Sequence, residues 1–75
     1  MKKKRFFYEN GSELLINDKV LAWDKVGYIE TIFMPGSKKS SDYSCEEGGF
    51  VVVFESGDVQ VWHDVNEDIS LIQRQ

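Results

Sequence analysis

The stretch FVVVFESGDVQVW, residues 50–62, decides the fold of this chain. Two runs rich in β-branched and aromatic residues lie on either side of a Ser-Gly dipeptide, which is the pattern of a β-hairpin. Gly57 can adopt the positive φ that a two-residue primed turn requires. Such a turn predicts a register in which Phe54 faces Val59, and this register decides which side chains point into the protein.

Side chains alternate along a strand, so the predicted hairpin has two different faces. The first face is apolar, is expected to contact the core and carries Phe50, Val52, Phe54, Val59 and Val61. The second face mixes apolar and acidic side chains and carries Val51, Val53, Glu55, Asp58, Gln60 and Trp62. The second face is therefore the predicted surface for a partner.

Length and composition indicate one small soluble domain. The chain has 75 residues, of which 41% are hydrophobic and 29% charged, as in globular rather than disordered proteins. No apolar run is long enough to span a bilayer, and no apolar stretch follows the basic start MKKKRFF. Cys45 is the single cysteine and cannot form an internal disulfide, which fits a reducing cytoplasm. We therefore expect a cytoplasmic protein with no membrane contact.

The two ends of the sequence differ in charge. Four of the first five residues are Lys or Arg, whereas residues 40–73 contain no Lys or Arg and eight acids, namely Asp42, Glu46, Glu47, Glu55, Asp58, Asp64, Glu67 and Asp68. This part of the chain would repel a phosphate backbone and attract a basic protein surface. The alternative is that these acids only keep the surface solvated.

The remaining β-forming runs predict an all-β fold, a small SH3-like barrel of about five short strands. Residues 1–12 are predicted to be a basic and aromatic segment, and residues 13–75 the single barrel domain. A polar loop, residues 35–49, separates strands two and three, and loops of this length are often functional. The predicted strands are Lys19–Trp23, Tyr28–Met34, Phe50–Phe54, Val59–Trp62 and Ile69–Ile72.

Residue types with catalytic or metal-binding chemistry are sparse. His63 and Cys45 are the only residues of their kinds, and a zinc site would need four suitable ligands. A pair of these two residues lacks an orienting partner, and the adjacent Glu46 and Glu47 diverge on an extended chain. We therefore expect no metal, no cofactor and no enzymatic activity.

The two tryptophans are assigned differently. Trp23 is expected in the core. Trp62 falls on the mixed face of the hairpin, where it is either an exposed anchor for a partner or is covered by the N-terminal aromatic residues 6–8. An exposed aromatic side chain inside an acidic rim has the composition of a protein-binding hot spot.

Five segments between residues 18 and 72 carry a family resemblance: VLAWDKVGYIETIF, PGS, EEGGFVVVF, SGDVQVW and NEDISLI. Together they resemble the small SH3-like immunity proteins of bacterial polymorphic and contact-dependent inhibition toxins. The resemblance implies a small cytoplasmic protein, often acidic, that binds a toxin domain tightly and blocks its active site. Many such toxins are nucleases with basic clefts. No site residues carry over from the family, because immunity interfaces vary widely.

The sequence therefore predicts a non-enzymatic inhibitor of a basic protein. The partner that fits this prediction best is a toxin nuclease. Four loop residues would enter the basic cleft of the toxin and three hairpin residues would flank it. The loop residues are Asp42, Tyr43, Glu46 and Glu47, and the hairpin residues are Glu55, Asp58 and Trp62.

Two alternatives stay open at this stage. An SH3-like adaptor or reader module could bind a peptide or nucleic acid through its aromatic residues, although the sparse basic residues argue against nucleic acid. A phage-type inhibitor of a host defence enzyme would have the same sequence signature as an immunity protein. The oligomeric state is also open.

Overall fold

The structure, a computed structural model, describes residues 4–74, which form one five-stranded antiparallel sheet and a short helix. The all-β prediction is confirmed. The strands are β1 (Lys19–Ala22), β2 (Lys25–Phe33), β3 (Gly49–Phe54), β4 (Val59–Trp62) and β5 (Ile69–Gln73), and the helix α1 (Lys38–Asp42) lies between β2 and β3.

The strands follow the order β4-β3-β2-β1-β5, so the last strand returns to pair with the first. A shift in register between Ile29 and Thr31 marks a bulge in β2, which bends that strand. Within the described residues, β4 and β5 each pair on one side only. The sheet is therefore not closed, and the closed barrel predicted from the sequence is not observed.

The turn between β3 and β4 differs from the predicted two-residue turn. The Gly57 amide donates to the Phe54 carbonyl at 2.9 Å, and the Phe54 amide donates to the Asp58 carbonyl at 2.8 Å. These bonds close a three-residue loop in which Gly57, at φ 96°, is the left-handed residue of a glycine bulge. Both kinds of turn need a glycine at positive φ, so the glycine alone did not distinguish them.

The different turn moves the register by one residue, so that Phe50 faces Trp62 and Val53 faces Val59. A one-residue shift sends every side chain of a strand to the opposite face. Trp62 is accordingly buried, with 6% of its surface exposed, whereas Val59 and Val61 are 57% and 37% exposed. The predicted core positions of Val59 and Val61 were wrong, and so was the predicted place of Trp62 on the partner face.

The β1–β2 connection is a two-residue turn, because Ala22 pairs directly with Lys25. Trp23 and Asp24 form it with φ of 50° and 62°, the positive values that a type I′ turn requires at both positions. The predicted first strand was therefore one residue too long, and β2 begins three residues before its predicted start. Trp23 is also 51% exposed, which corrects its predicted place in the core.

The predicted long loop contains the helix α1 and ends one residue earlier, because Gly49 already belongs to β3. Ser37 caps the helix, since its Oγ accepts from the Ser40 amide at 3.2 Å. Ser40 is itself buried, and its hydroxyl donates to the Ser37 carbonyl at 2.7 Å. This serine-rich turn folds the loop onto the sheet.

The N-terminal segment contributes two aromatic side chains to the core. Phe6 and Tyr8 are buried in the same cluster as Phe50, and the segment pairs back on itself through a bridge between Phe7 and Glu13. The other buried members of this cluster are Leu14, Val20, Ala22, Ile29, Val52, Phe54, Trp62 and Ile69.

A buried carboxylate, Asp18, connects both termini to the sheet. The Tyr8 hydroxyl donates to Asp18 Oδ2 at 2.8 Å, and the Leu15 amide donates to the same atom at 2.9 Å. Arg74 pairs with Asp18 Oδ1 at 3.3 Å and also donates to the Glu13 carbonyl. Because Asp18 is only 1% exposed, these partners supply the compensation that a buried charge requires.

This network predicts a loss of stability in alkali. Burial, and then the hydrogen bond to Asp18, raises the pKa of the Tyr8 hydroxyl far above its usual value of about 10. Above that pH the unfolded chain loses the Tyr8 proton and the folded protein keeps it. The titration of Tyr8 should therefore give the free energy of unfolding no pH dependence below about pH 10, and above it should lower that free energy by up to about 1.4 kcal/mol per pH unit.

Urea unfolding of wild type and Tyr8→Phe at several pH values between 8 and 11 would measure this effect. The variant should be less stable at pH 8 by about 1 kcal/mol, because Asp18 loses one hydrogen bond, and should show the shallower alkaline slope. Equal slopes in the two proteins would contradict the role of Tyr8.

Candidate functional site

The structure divides the predicted partner-binding residues into two groups at opposite ends of β3. Glu46 and Glu47 immediately precede this strand, and Glu55 and Asp58 lie beyond its other end. A strand of six residues spans about 20 Å, so the two groups cannot form one cluster of acids.

In the first group, Asp42 is the last residue of α1 and Tyr43 caps it. The Tyr43 ring packs against Phe33, with the ring centroids 5.3 Å apart, and the side chain is still partly exposed. Tyr43 therefore helps to cover one end of the sheet while one side of it stays open to solvent.

Glu46 and Glu47 lie on a concave surface that the sequence did not reveal. They line an open cleft of about 410 Å³ together with Lys4, His63 and Asp64. His63 and Asp64 also line a second cleft of about 480 Å³. The second cleft runs along the surface beside β4.

Trp23 lies on the second cleft, together with Val61 and Trp62 of β4. Because both clefts include His63 and Asp64, they form one continuous surface that leads from the acidic loop to Trp23. We call this surface the acidic groove, defined by Glu46, Glu47, His63, Asp64 and Trp23.

An aromatic stack supports the Trp23 end of the groove. The Trp23 and Trp62 rings stack with centroids 4.9 Å apart and an interplanar angle of 25°. Trp62 stacks in turn on Phe50 at 6.0 Å, and Phe50 meets the edge of Phe6 at 5.2 Å. One face of the Trp23 ring is thus held against the core. The side chain remains half exposed, although tryptophan is mostly buried in folded proteins.

The backbone that holds Trp23 is strained. Trp23 and Asp24 both have positive φ, which glycine adopts without a Cβ clash and which asparagine and aspartate adopt more readily than a bulky residue such as tryptophan. Residues in such regions persist where their surroundings hold them, and they concentrate at functional sites. Backbone strain and side-chain exposure therefore both indicate Trp23 as a candidate functional residue.

Trp62 carries a second unusual feature. Its indole Nε1–H is buried and has no hydrogen-bond partner within residues 4–74. An unsatisfied buried donor costs about 1–3 kcal/mol, and such groups are uncommon in folded proteins. The Trp23–Trp62 pair thus combines positive φ at Trp23 with an unsatisfied buried donor at Trp62.

The second predicted group lies away from the groove. The Ser56 hydroxyl donates to Asp58 Oδ2 at 3.2 Å, and Lys25 lies 4.0 Å from the same carboxylate. Both partners of this ion pair are well exposed, so the pair contributes little to stability. Glu55 and Asp58 therefore form a separate acidic patch at the turn end of the sheet.

Three groove residues were absent from the predicted site, namely Trp23, His63 and Asp64. Asp64 was counted among the acids of residues 40–73, but its proximity to Glu46 and Glu47 depends on the three-dimensional path of the chain. The Trp-Asp turn carried a signal for Trp23, since a two-residue turn between two strands exposes its central side chains.

Among residues 4–74 no three His, Cys, Asp or Glu side chains are grouped closely enough to hold a metal ion. In the same range, no helix is both long and apolar enough to cross a membrane.

Comparison of the chain with protein-family models, with curated proteins and with solved structures found no match in any of the three.

The strained turn generates a prediction about stability. Asp24→Gly should raise the free energy of unfolding by about 1 kcal/mol, because glycine adopts positive φ without a Cβ clash. For a domain of this size, that corresponds to about 4–8 °C in Tm. Calorimetry of wild type and variant would measure it.

Asp68→Gly is the matched control, because Asp68 is an exposed turn aspartate without positive φ. This change should lower Tm through the added backbone freedom of the unfolded chain. A lower Tm for Asp24→Gly as well would show that position 24 is not strained.

Proposed function

We propose that this protein is a non-enzymatic inhibitor that binds a basic protein partner through the acidic groove. In this proposal it acts in the cytoplasm as an immunity protein against a bacterial toxin, and the partner is a nuclease domain with a basic cleft. The resemblance of residues 18–72 to SH3-like immunity proteins supports this class. The strand order, with β5 returning to β1, supports an SH3-like topology.

The observation that carries the proposal is the exposed Trp23 at the end of a groove that also contains Glu46, Glu47 and Asp64. Tryptophan is enriched among the residues that dominate binding energy, and it loses little conformational entropy on binding. A tryptophan held in advance by a stack and a tight turn is suited to anchor a partner.

The charges of the groove favour a cationic surface. Residues 40–73 supply all of its acids and no Lys or Arg, and within the part of the chain that the structure describes, Lys4 is the one lysine that lines the first cleft. Acidic side chains on a concave surface steer a basic partner and increase the association rate. Carboxylates can also occupy the positions of nucleic-acid phosphates in a nuclease cleft.

The exposed face of Trp23 offers a specific contact to such a partner. An arginine guanidinium stacks on an indole ring and can bond a carboxylate at the same time. We therefore expect an arginine of the partner above Trp23, paired with an acid of the groove.

A second candidate function is a peptide-binding adaptor, favoured by the exposed aromatic side chains of Trp23 and Tyr28. Such a module would bind many related peptides weakly, whereas an immunity protein would bind one partner tightly. A phage-type inhibitor would use the same groove against a host enzyme, and the identity of the captured partner separates it from an immunity protein.

The first experiment is capture of partners from lysate of the source cell with tagged protein, followed by mass spectrometry and affinity measurement. Neutralising the groove with Glu46→Gln, Glu47→Gln and Asp64→Asn should weaken the complex with a basic partner by at least about tenfold at low salt. The variant should also reduce the dependence of affinity on salt, because fewer charges remain to be screened.

The matched control neutralises three exposed acids outside the groove, Glu9→Gln, Glu30→Gln and Glu55→Gln, and produces the same change in net charge. This control should lose much less affinity than the groove variant. Equal losses in both variants would indicate a general charge effect and would reject the groove as the site.

A second prediction concerns the anchor. Trp23→Ala should weaken partner binding by about 30-fold or more, which corresponds to a hot-spot energy of at least about 2 kcal/mol. Titration calorimetry with the captured partner would measure the effect.

Phe7→Ala is the control for Trp23→Ala, because Phe7 is 50% exposed on the N-terminal segment and lies outside both clefts of the groove. It should leave the affinity nearly unchanged. A near-neutral Trp23→Ala in a correctly folded protein would exclude Trp23 as the anchor.

A further inference from the structure

The outer edge of β4 is short but lacks the charged residues and prolines that often protect an edge strand. Its four residues, Val59–Trp62, include no charge and no proline, and among residues 4–74 the strand pairs only with β3. Natural proteins commonly protect such edges with charged residues, prolines, bulges or a covering segment. An edge without protection is a template for another strand.

The hydrogen-bond pattern of the hairpin identifies the free backbone groups. The Phe54 amide bonds the Asp58 carbonyl, and bonded and non-bonded pairs alternate along an antiparallel ladder. The bonded pairs are therefore Val52 with Gln60 and Phe50 with Trp62. The N–H and C=O groups of Val59 and Val61 consequently point away from β3, toward the open edge.

This edge forms one wall of the acidic groove. Gln60, Val61 and Trp62 line the same cleft as Trp23 and Asp64. A strand added to β4 would therefore run past Trp23, and half of its side chains would point to the same side of the sheet as Trp62. The other half would lie beside the exposed side chains of Val59 and Val61.

The charges at the ends of β4 indicate which strand fits. Asp58 precedes the strand, and its ion pair with Lys25 at 4.0 Å is exposed and therefore weak. His63 and Asp64 follow the strand, so an uncharged edge lies between two acids. A second copy of this chain in antiparallel pairing would bring Asp58 toward Asp64 of the other copy. A parallel copy would bring like residues together. Like charges opposite each other are destabilising in both arrangements.

We propose that the β4 edge accepts an extended segment of the basic partner as a sixth strand. The segment has apolar or β-branched residues in its middle, which continue the surface of Val59 and Val61, and basic residues at its ends, which meet Asp58 and Asp64. This inference rests on the proposed function in its choice of a basic partner, and it adds the binding mode. Main-chain hydrogen bonds provide affinity in such complexes, and alternate side chains provide specificity.

A defined peptide tests the proposal without knowledge of the natural partner. The probe is a capped octapeptide, KTVTVTVK, titrated into ¹⁵N-labelled protein while amide hydrogen exchange is followed by NMR. Binding should slow the exchange of the Val59 and Val61 amides by at least about tenfold, because these two donors become paired. No detectable binding at millimolar peptide would overturn the proposal.

Two altered peptides separate strand addition from general attraction. A peptide with alternate amides N-methylated keeps its charge and side chains but cannot complete the ladder, and it should bind at least about tenfold more weakly. A peptide with glutamate in place of both lysines should also bind more weakly, since it would meet Asp58 and Asp64. Equal binding of the N-methylated peptide would refute pairing at the edge.

A protein variant gives an independent measurement. Val61→Pro removes an N–H that points away from β3, a position where proline is tolerated on an edge strand. It should lose affinity for KTVTVTVK, whereas Val61→Thr, which keeps the N–H, should retain it. The N-methylated peptide leaves the protein unaltered, so a folding defect of the proline variant would not remove the test.

Sedimentation equilibrium tests the competing occupant of the edge, which is a second copy of this chain. A concentration-dependent dimer of the wild type that Val61→Pro abolishes would show that the occupant is a second copy, and it would overturn our choice of a basic strand. Failure of the proposed function would look different. The charge-neutralised groove variant would then still capture the partner, while the peptide results at Val59 and Val61 would stand unchanged.

Discussion

The stacking of Trp23 on Trp62 is the interaction on which the rest of the structure depends. Trp62 lies on an outer strand of an open sheet, where no further strand covers it. Trp23 comes from the β1–β2 turn, three strands away in the order of the sheet, and covers it instead. A stacked aromatic pair contributes about 0.5–1.5 kcal/mol beyond the burial of its area. This gain helps to offset the backbone strain of the turn that presents Trp23.

The same interaction explains why the proposed binding surface forms at this place. A ring that covers the core from outside leaves its other face in solvent, so Trp23 stabilises the fold and is also accessible. The chain brings residues 63–64, after β4, beside Trp23, and residues 46–47, before β3, lie farther along the groove beside residues 63–64. Because both segments adjoin strand ends, the sheet fixes their positions before any partner arrives.

Composition and turn residues were sufficient to predict the strands but not their register. The bounds of β4 matched the prediction, and the β-branched runs of β2, β3 and β5 were placed within three residues of their observed ends. The register depended on whether Gly57 takes the second position of a primed turn or the third position of a bulged loop. That choice placed Trp62 and Val61 on the opposite faces from the predicted ones and exposed Val61, which was predicted in the core.

The missed parts of the candidate site share a physical cause. The proximity of Asp64 to Glu46 and Glu47 comes from the antiparallel pairing of β3 and β4, which brings the residues before one strand beside those after the other. The buried network around Asp18 joins residues 8, 18 and 74, and no local pattern relates positions so far apart in the sequence. The sequence identified the chemical character of the surface, but the geometry depended on long-range packing.

An open sheet with an unpaired edge strand can self-associate. The acids at the two ends of β4 oppose this association without closing the sheet. A closed barrel would pair β4 on both sides and remove the wall that Val61 contributes to the groove. Asp58 and Asp64 leave the backbone of β4 accessible, yet they oppose pairing with another copy of the same acidic chain. A basic partner would instead be attracted by the same negative charges. In the binding mode that we propose, the arrangement of charges around β4 therefore selects between partners while the edge itself remains available.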